Sequence, residues 1–177
     1  ANIPKIRGLD KFKGSYFHTG NWPKNDVNFE GKIVGQIGTG STGIQAVPVI
    51  AETAKHFTVF QRTPNYSVPA RNKPLSDEFK SYVKNNFKEL RKIVKSTPNG
   101  HAFIINETLV NDVDEKERLK RYEKAWQKGG LQFRGTFKDI ISDINANKTA
   151  SEFIKKKISE IVENKEYAEI LTNFDHP

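Results

Sequence analysis

Residues 32–63 read KIVGQIGTGSTGIQAVPVIAETAKHFTVFQRT. A short apolar run, Lys32 to Ile37, leads into Gly38-Thr39-Gly40-Ser41-Thr42-Gly43. A helical apolar pattern follows, then a second β-rich run from His56 to Gln61. Strand, glycine turn, helix and strand in one stretch form the context in which G-x-G-x-x-G reads as a dinucleotide-binding fingerprint. The first glycine lets the chain turn off the strand, and the second lets the backbone approach a pyrophosphate. The third lets the helix pack close to the strand, while the helix N-terminus offers N–H groups to the anion.

The helix predicted after the turn carries Ile44, Val47, Ile50, Ala51 and Ala54 on one face, the stripe that a helix packed on a sheet requires. Pro48 lies inside this pattern and removes one backbone donor. The end of the second strand narrows the cofactor. An NAD site usually places a carboxylate there for the ribose 2′-OH, but this chain has Phe60-Gln61-Arg62-Thr63. A guanidinium and a hydroxyl suit a 2′-phosphate, so the expectation is NADP over NAD, with Arg62 and Thr63 as its contacts.

Composition sets the bounds. The 177 residues suit one domain or a domain with an appendage. A mean hydropathy of −0.67 is low for a compact globule, so part of the surface is expected to be unusually charged or to face a partner. The net charge of +8 arises from 29 basic and 21 acidic residues. Charge of both signs is densest beyond Ala70, which reads as solvated helix faces and gives no nucleic-acid stripe. There is no cysteine, which excludes disulfide and thiol chemistry and suits a cytoplasmic protein. No apolar run approaches the roughly 20 residues that span a bilayer. His18, His56, His101 and His176 share no metal-ligand spacing, so no metal is expected. The chain begins at Ala1 and contains no methionine, which suggests a piece of a longer protein.

Residues 1–31 interleave glycine, proline and aromatics, as an ordered loop region would. Beyond the loop at 63–70 the pattern is helical. Ser76 is expected to cap a helix carrying Phe79, Tyr82, Val83, Phe87, Leu90, Ile93 and Val94 as far as Pro98-Asn99-Gly100. A second helix starts near Asp114 and stops at Gly129-Gly130. A short third is marked by Phe137, Ile140, Ile141 and Ile144, and a fourth is capped by Ser151. A last one runs from Lys165 to Thr172. The expected fold is α/β: a Rossmann-like domain with a parallel-sheet core and a large helical insertion or appendage. It divides into an aromatic linker at 1–31, a βαβ core at 32–70 and a helical part at 71–177. One further β-prone run is visible, His101 to Asn106, so either some strands are hidden in the pattern or the sheet is completed by chain outside this sequence.

Before the glycine turn lies Phe12-x-Gly14-x-x-x-His18-x-x-x-Trp22-Pro23. Together with Gly38-Thr39-Gly40-Ser41-Thr42-Gly43-Ile44-Gln45 and Phe60-Gln61-Arg62-Thr63-Pro64-Asn65-Tyr66, this resembles the flavin-dependent Baeyer–Villiger monooxygenases. Later segments such as Trp126-Gln127-Lys128-Gly129-Gly130 are similar to the helical insertion of that family's NADP domain. The resemblance implies an enzyme in which NADPH reduces FAD and, with O2, an oxygen is inserted beside a ketone carbonyl to give an ester or lactone. It implies that Gly38, Thr39, Gly40, Ser41, Thr42, Gly43 and Gln45 hold the pyrophosphate region and that Arg62 and Thr63 take the 2′-phosphate. His18 would couple NADP to flavin at the domain junction, in a catalytic or a structural role, with Trp22 and Pro23 as anchors. The implied partners are NADPH, the FAD-binding domain of the same polypeptide and a ketone.

The family's earlier FAD fingerprint is not in this sequence, so the chain alone is expected neither to retain FAD nor to oxidise ketones. Two other readings stand beside this one. One is a stand-alone Rossmann-like interaction module. The other is part of an N-hydroxylating flavin monooxygenase, against which the His-x-x-x-Trp-Pro loop speaks.

Overall fold

The computed structural model describes residues 3–97, 100–101 and 105–173. Chain contacts divide it into two compact units, Ala1–Thr63 and Pro64–Pro177. The expected run at 101–106 and the terminal His176 lie partly or wholly outside the described residues.

The first unit is built on the stretch at 32–63. Strand β1 (Ile33–Ile37) enters the glycine turn, α1 (Ser41–Thr53) follows, and β2 (His56–Phe60) pairs parallel to β1. The register aligns Ile33 with His56, Gly35 with Thr58 and Ile37 with Phe60. A parallel pair needs a crossover, and α1 supplies it. Residues alternate across the sheet, so Val34, Gln36 and Phe57, all half-buried, share the better-covered face. The helix turns Ile50 inward, with Ala46, Val47 and Ala54 half-buried. Pro48 sits within α1 as anticipated. The other sheet face is open: Ile33 is 80% exposed, Ile37 74% and Phe60 56%.

Ahead of β1, residues 3–31 form a loop region with one turn of 3-10 helix at Leu9–Lys11 and an antiparallel bridge between His18 and Asn21. Trp22 lies 5.6 Å from Phe17 and 6.3 Å from Phe29 between ring centres. This small aromatic row is the internal anchor of the loop.

The second unit is helical. Ser76 caps α2 (Asp77–Asn85) by accepting from the Phe79 N–H at 3.2 Å. One continuous helix was expected here, but the chain breaks at Asn86 and resumes as α3 (Phe87–Ser96). Asn86 leaves helical geometry, and both its backbone N–H and its side-chain Nδ2 donate to the Tyr82 carbonyl, a local bond of the kind by which asparagine competes with helix. Next come α4 (Glu115–Lys128), capped by Asp114 and ended at Gly129, and α5 (Ile144–Ile161), capped by Asp143. The last helix is α6 (Lys165–Thr172), capped by Asn164.

Two further expectations are corrected. Ser151 caps nothing; it is buried inside α5 and donates back to the Asn147 carbonyl at 3.0 Å. The segment from Phe137 to Ile141 is a series of turns. Tertiary bonds take the place of a helical ladder: the Lys138 N–H donates to the Thr108 carbonyl at 3.0 Å, and the Asp139 carboxylate accepts from the Val110 N–H at 3.0 Å.

The core of this unit gathers around Tyr122, which contacts Phe133, Phe137 and Phe153 at 5.4–5.5 Å between ring centres. Trp126, Val110, Ile140 and Ile154 complete it. The Tyr122 hydroxyl shares a 2.7 Å hydrogen bond with Thr149, so its polar end is satisfied; burial pushes its pKa up.

Candidate functional site

The glycine turn is built in three steps. The ladder extends one bond past β1, with the Gly38 N–H donating to the Phe60 carbonyl at 2.9 Å. Gly38 then takes φ +99, a conformation that side-chain-bearing residues rarely adopt. Gly43 lies so close to the strand end that a Cβ there would stand 2.5 Å from the Gly38 carbonyl oxygen. Between them, Gly40 is the N-cap of α1, and nothing lies within 4 Å of where its Cβ would be. Any side chain at Gly40 would therefore occupy open space in front of the helix N-terminus.

That N-terminus has a positive dipole end with no side-chain cap and no acidic residue in its first turn. Thr39 is buried, and its Oγ1 lies 3.4 Å from the Thr63 carbonyl. This contact brings the glycine turn against the bend at Arg62-Thr63, 24 residues further on. Arg62, Thr63, Ser41, Thr42 and Gln45 are exposed. Gln45 Nε2 donates to the Ser41 carbonyl at 3.0 Å within the first turns of α1. Nine of the ten candidate residues thus lie in the turn, the start of α1 or the end of β2.

His18 belongs to a different local structure, the tight turn His18–Asn21. Its Nδ1 accepts from the Gly20 N–H at 3.1 Å, and its carbonyl accepts from the Asn21 N–H at 2.8 Å. In the neutral ring the proton is therefore on Nε2. No cluster of His, Asp or Glu among the described residues is arranged to hold a metal ion.

One residue of the turn was not singled out from sequence. Gln36 projects from β1 beneath the turn, where its Nε2 donates to the carbonyls of Gly38 at 3.1 Å and Gly43 at 3.2 Å. The only available signal was a polar residue in the otherwise apolar run of β1.

No family model matches the chain. It is 48% identical, over 96% of its length, to cyclohexanone 1,2-monooxygenase of an Acinetobacter species, and covers 32% of that protein. Phenazine N-monooxygenase PhzNO1 of Lysobacter antibioticus is 42% identical over 98% of the chain, again covering 32% of the relative. Among solved structures, OTEMO in complex with FAD and NADP superposes with a TM-score of 0.92 at 38% identity, covering all of this chain and 34% of that one.

The likeness throughout is to one segment of a monooxygenase. The relatives the chain resembles at 38–48% identity include cyclohexanone and Baeyer–Villiger monooxygenases. The chain spans about a third of the length of the curated relatives it matches. No helix among the described residues is long and apolar enough to cross a membrane.

Proposed function

We propose that this chain is the NADPH-binding part of an FAD-dependent Baeyer–Villiger monooxygenase that converts ketones to esters or lactones with O2. On this reading the parallel β1–β2 pair belongs to a Rossmann-like core. The chain then divides into a linker at 1–31, a βαβ core at 32–70 and a helical part at 71–177. The observation that carries the proposal is the open cradle at Gly40 beside Arg62-Thr63, two sites joined by the Thr39–Thr63 contact.

The residues present fit a dinucleotide. The space a Cβ would fill at Gly40 admits a pyrophosphate to the uncapped N-terminus of α1. Ser41, Thr42 and Gly43 bring the first-turn N–H groups to it, with Thr39 and the Gln45 amide alongside. Arg62 holds the 2′-phosphate by charge-assisted hydrogen bonds and Thr63 adds a hydroxyl. When bound, the nicotinamide supplies the hydride that reduces the flavin. His18 keeps the linker turn closed through Nδ1 and would couple NADP to the flavin at the junction of the two domains. Gly14, Trp22 and Pro23 shape that linker.

By itself the chain holds NADP(H) without retaining FAD or oxidising ketones. The N-hydroxylating alternative keeps one point in its favour, the similarity to PhzNO1, and it uses the same NADPH site. Calorimetric titration tests the shared part: NADPH binds at least tenfold more tightly than NADH. Equal affinities would remove the role assigned to Arg62. A stoichiometric flavin spectrum in the purified chain would overturn the claim that FAD is not retained.

A further inference from the structure

We infer that Gln36 is a positioning residue for the phosphate-binding turn, holding it in the binding shape through the two hydrogens of its carboxamide. The inference rests on reading this turn as a dinucleotide site. Gln36 stands on the α1-facing side of β1, a position where an aliphatic side chain would pack against the helix without polar cost. The carboxamide instead spans the turn. One N–H goes to the carbonyl of Gly38, where the strand ends, and the other to the carbonyl of Gly43 in the first turn of α1. Both neighbours are acceptors, which fixes the orientation of the amide.

Two consequences follow from elementary geometry. In a planar trans peptide the C=O and the following N–H point to opposite sides, so pinning the Gly38 carbonyl toward Gln36 sets the Thr39 N–H on the opposite side. Pinning Gly43 fixes how far the first turn of α1 stands from the strand end. Gly43 is already within close range: a Cβ there would come 3.0 Å from Gln36 Nε2. The brace and the glycine therefore define one packed unit.

The other end of the carboxamide shows what this arrangement costs. Gln36 Oε1 is shut off from solvent and meets no donor among the described residues. A buried acceptor without a partner is unfavourable, while an apolar residue of similar shape leaves nothing unsatisfied. A glutamine here is therefore a poor choice for stability alone. Its two donated bonds to the turn account for it, as expected where local cost is accepted for preorganisation.

The test is titration of the full chain, wild type and Gln36→Leu, with two ligands: NADP+, and adenosine 2′-monophosphate, which carries the 2′-phosphate and no pyrophosphate. Wild type binds both. Gln36→Leu binds NADP+ roughly tenfold more weakly, the scale of one or two hydrogen bonds, with adenosine 2′-monophosphate unchanged. Gln36→Glu places carboxylate oxygens against the two carbonyls and weakens NADP+ further. Unchanged NADP+ affinity in Gln36→Leu overturns the inference, as does an equal loss for both ligands, which marks a purely structural role. A wild-type chain that binds neither ligand overturns the dinucleotide reading, and this inference with it.

Discussion

The two units of this chain obtain their order in opposite ways. The helical unit has its own core: Tyr122, Trp126, Phe133, Phe137 and Phe153 pack ring against ring, with Val110, Ile140 and Ile154 around them. The βαβ unit has one buried aliphatic side chain, Ile50, among its described residues, and it leaves Ile33, Ile37 and Phe60 open on one sheet face. Yet that unit carries all ten candidate site residues, nine of them in its βαβ stretch. A two-stranded sheet with one helix is too small to be stable through burial alone. Its turn is specified instead by backbone geometry and hydrogen bonds at Gly38, Gly43 and Gln36. A defined turn geometry and depth of core are thus separate properties here, held by different parts of the chain.

The largest effect expected tests the core. Phe137 is 1% exposed and meets Tyr122 edge to face at 5.5 Å. Phe137→Ala removes a large buried ring from a position that cannot readily collapse, and should destabilise the helical unit by about 3–5 kcal/mol. Urea denaturation followed by tryptophan fluorescence reads this, since Trp126 lies in the same cluster. A loss below about 1 kcal/mol would break the contrast between the units.

The next effect tests the ligand side. Arg62→Ala should weaken NADPH by about 1.5–3 kcal/mol, the scale of a hydrogen bond to a charged group, and leave NADH unchanged. In affinity that is roughly 10- to 150-fold. Equal weakening of both nucleotides would mean that Arg62 holds something other than the 2′-phosphate.

A smaller effect sharpens the claim that the turn is set by close approach. Alanine normally gains about 1 kcal/mol over glycine in a helix. At Gly43 its Cβ would stand 2.5 Å from a backbone oxygen, so Gly43→Ala should instead cost about 1–3 kcal/mol and weaken NADP+ binding with it. A more stable variant with intact binding would remove the packing argument.

These regions also differ in how much the amino-acid sequence discloses. The βαβ unit is legible because each of its signals is local: a glycine triplet at fixed spacing, an apolar strand on either side and a 3.6-residue stripe between them. The link from Thr39 to Thr63 is not local and could only be guessed from the fingerprint. Gln36 was missed because a polar residue in a strand reads as a solvent-facing position, and its role depends on two carbonyls that only the folded turn brings together.

In the helical unit, the cap at Ser76 and the helix start near Asp114 were readable from their own residues. Phe137, Ile140, Ile141 and Ile144 have helical spacing, but bonds from the Lys138 N–H to Thr108 and from the Val110 N–H to Asp139 tie the chain outside a helical ladder. Ser151 has the composition of a cap and sits inside α5, where back-bonding to Asn147 satisfies it. Spacing records which side chains face the core; it does not record which partner the backbone chooses.

The smallest effect bears on whether charge, as distinct from aromatic packing, holds the helical unit together. Lys157 on α5 reaches Glu123 on α4 at 2.7 Å and lies over the Phe153 ring at 5.5 Å. Hydrogen bonds from Lys157 and then Gln127 hold the Glu123 carboxyl below the usual carboxylate range, and Glu123 raises the Lys157 ammonium. The stabilisation from Glu123 is therefore complete above the ordinary carboxylate pKa and is lost as pH falls through the lowered folded value. That from Lys157 is present below the ordinary lysine pKa and is lost as pH rises through the raised one. The Glu123 side chain is 42% exposed, so solvent screens the pair and Glu123→Gln should cost less than about 1 kcal/mol at neutral pH. Urea denaturation of wild type and variant should differ by that amount at neutral pH and converge once Glu123 is protonated. A difference of several kcal/mol at neutral pH would mean that the charged helix faces, and not the aromatic cluster, distinguish this unit from the other.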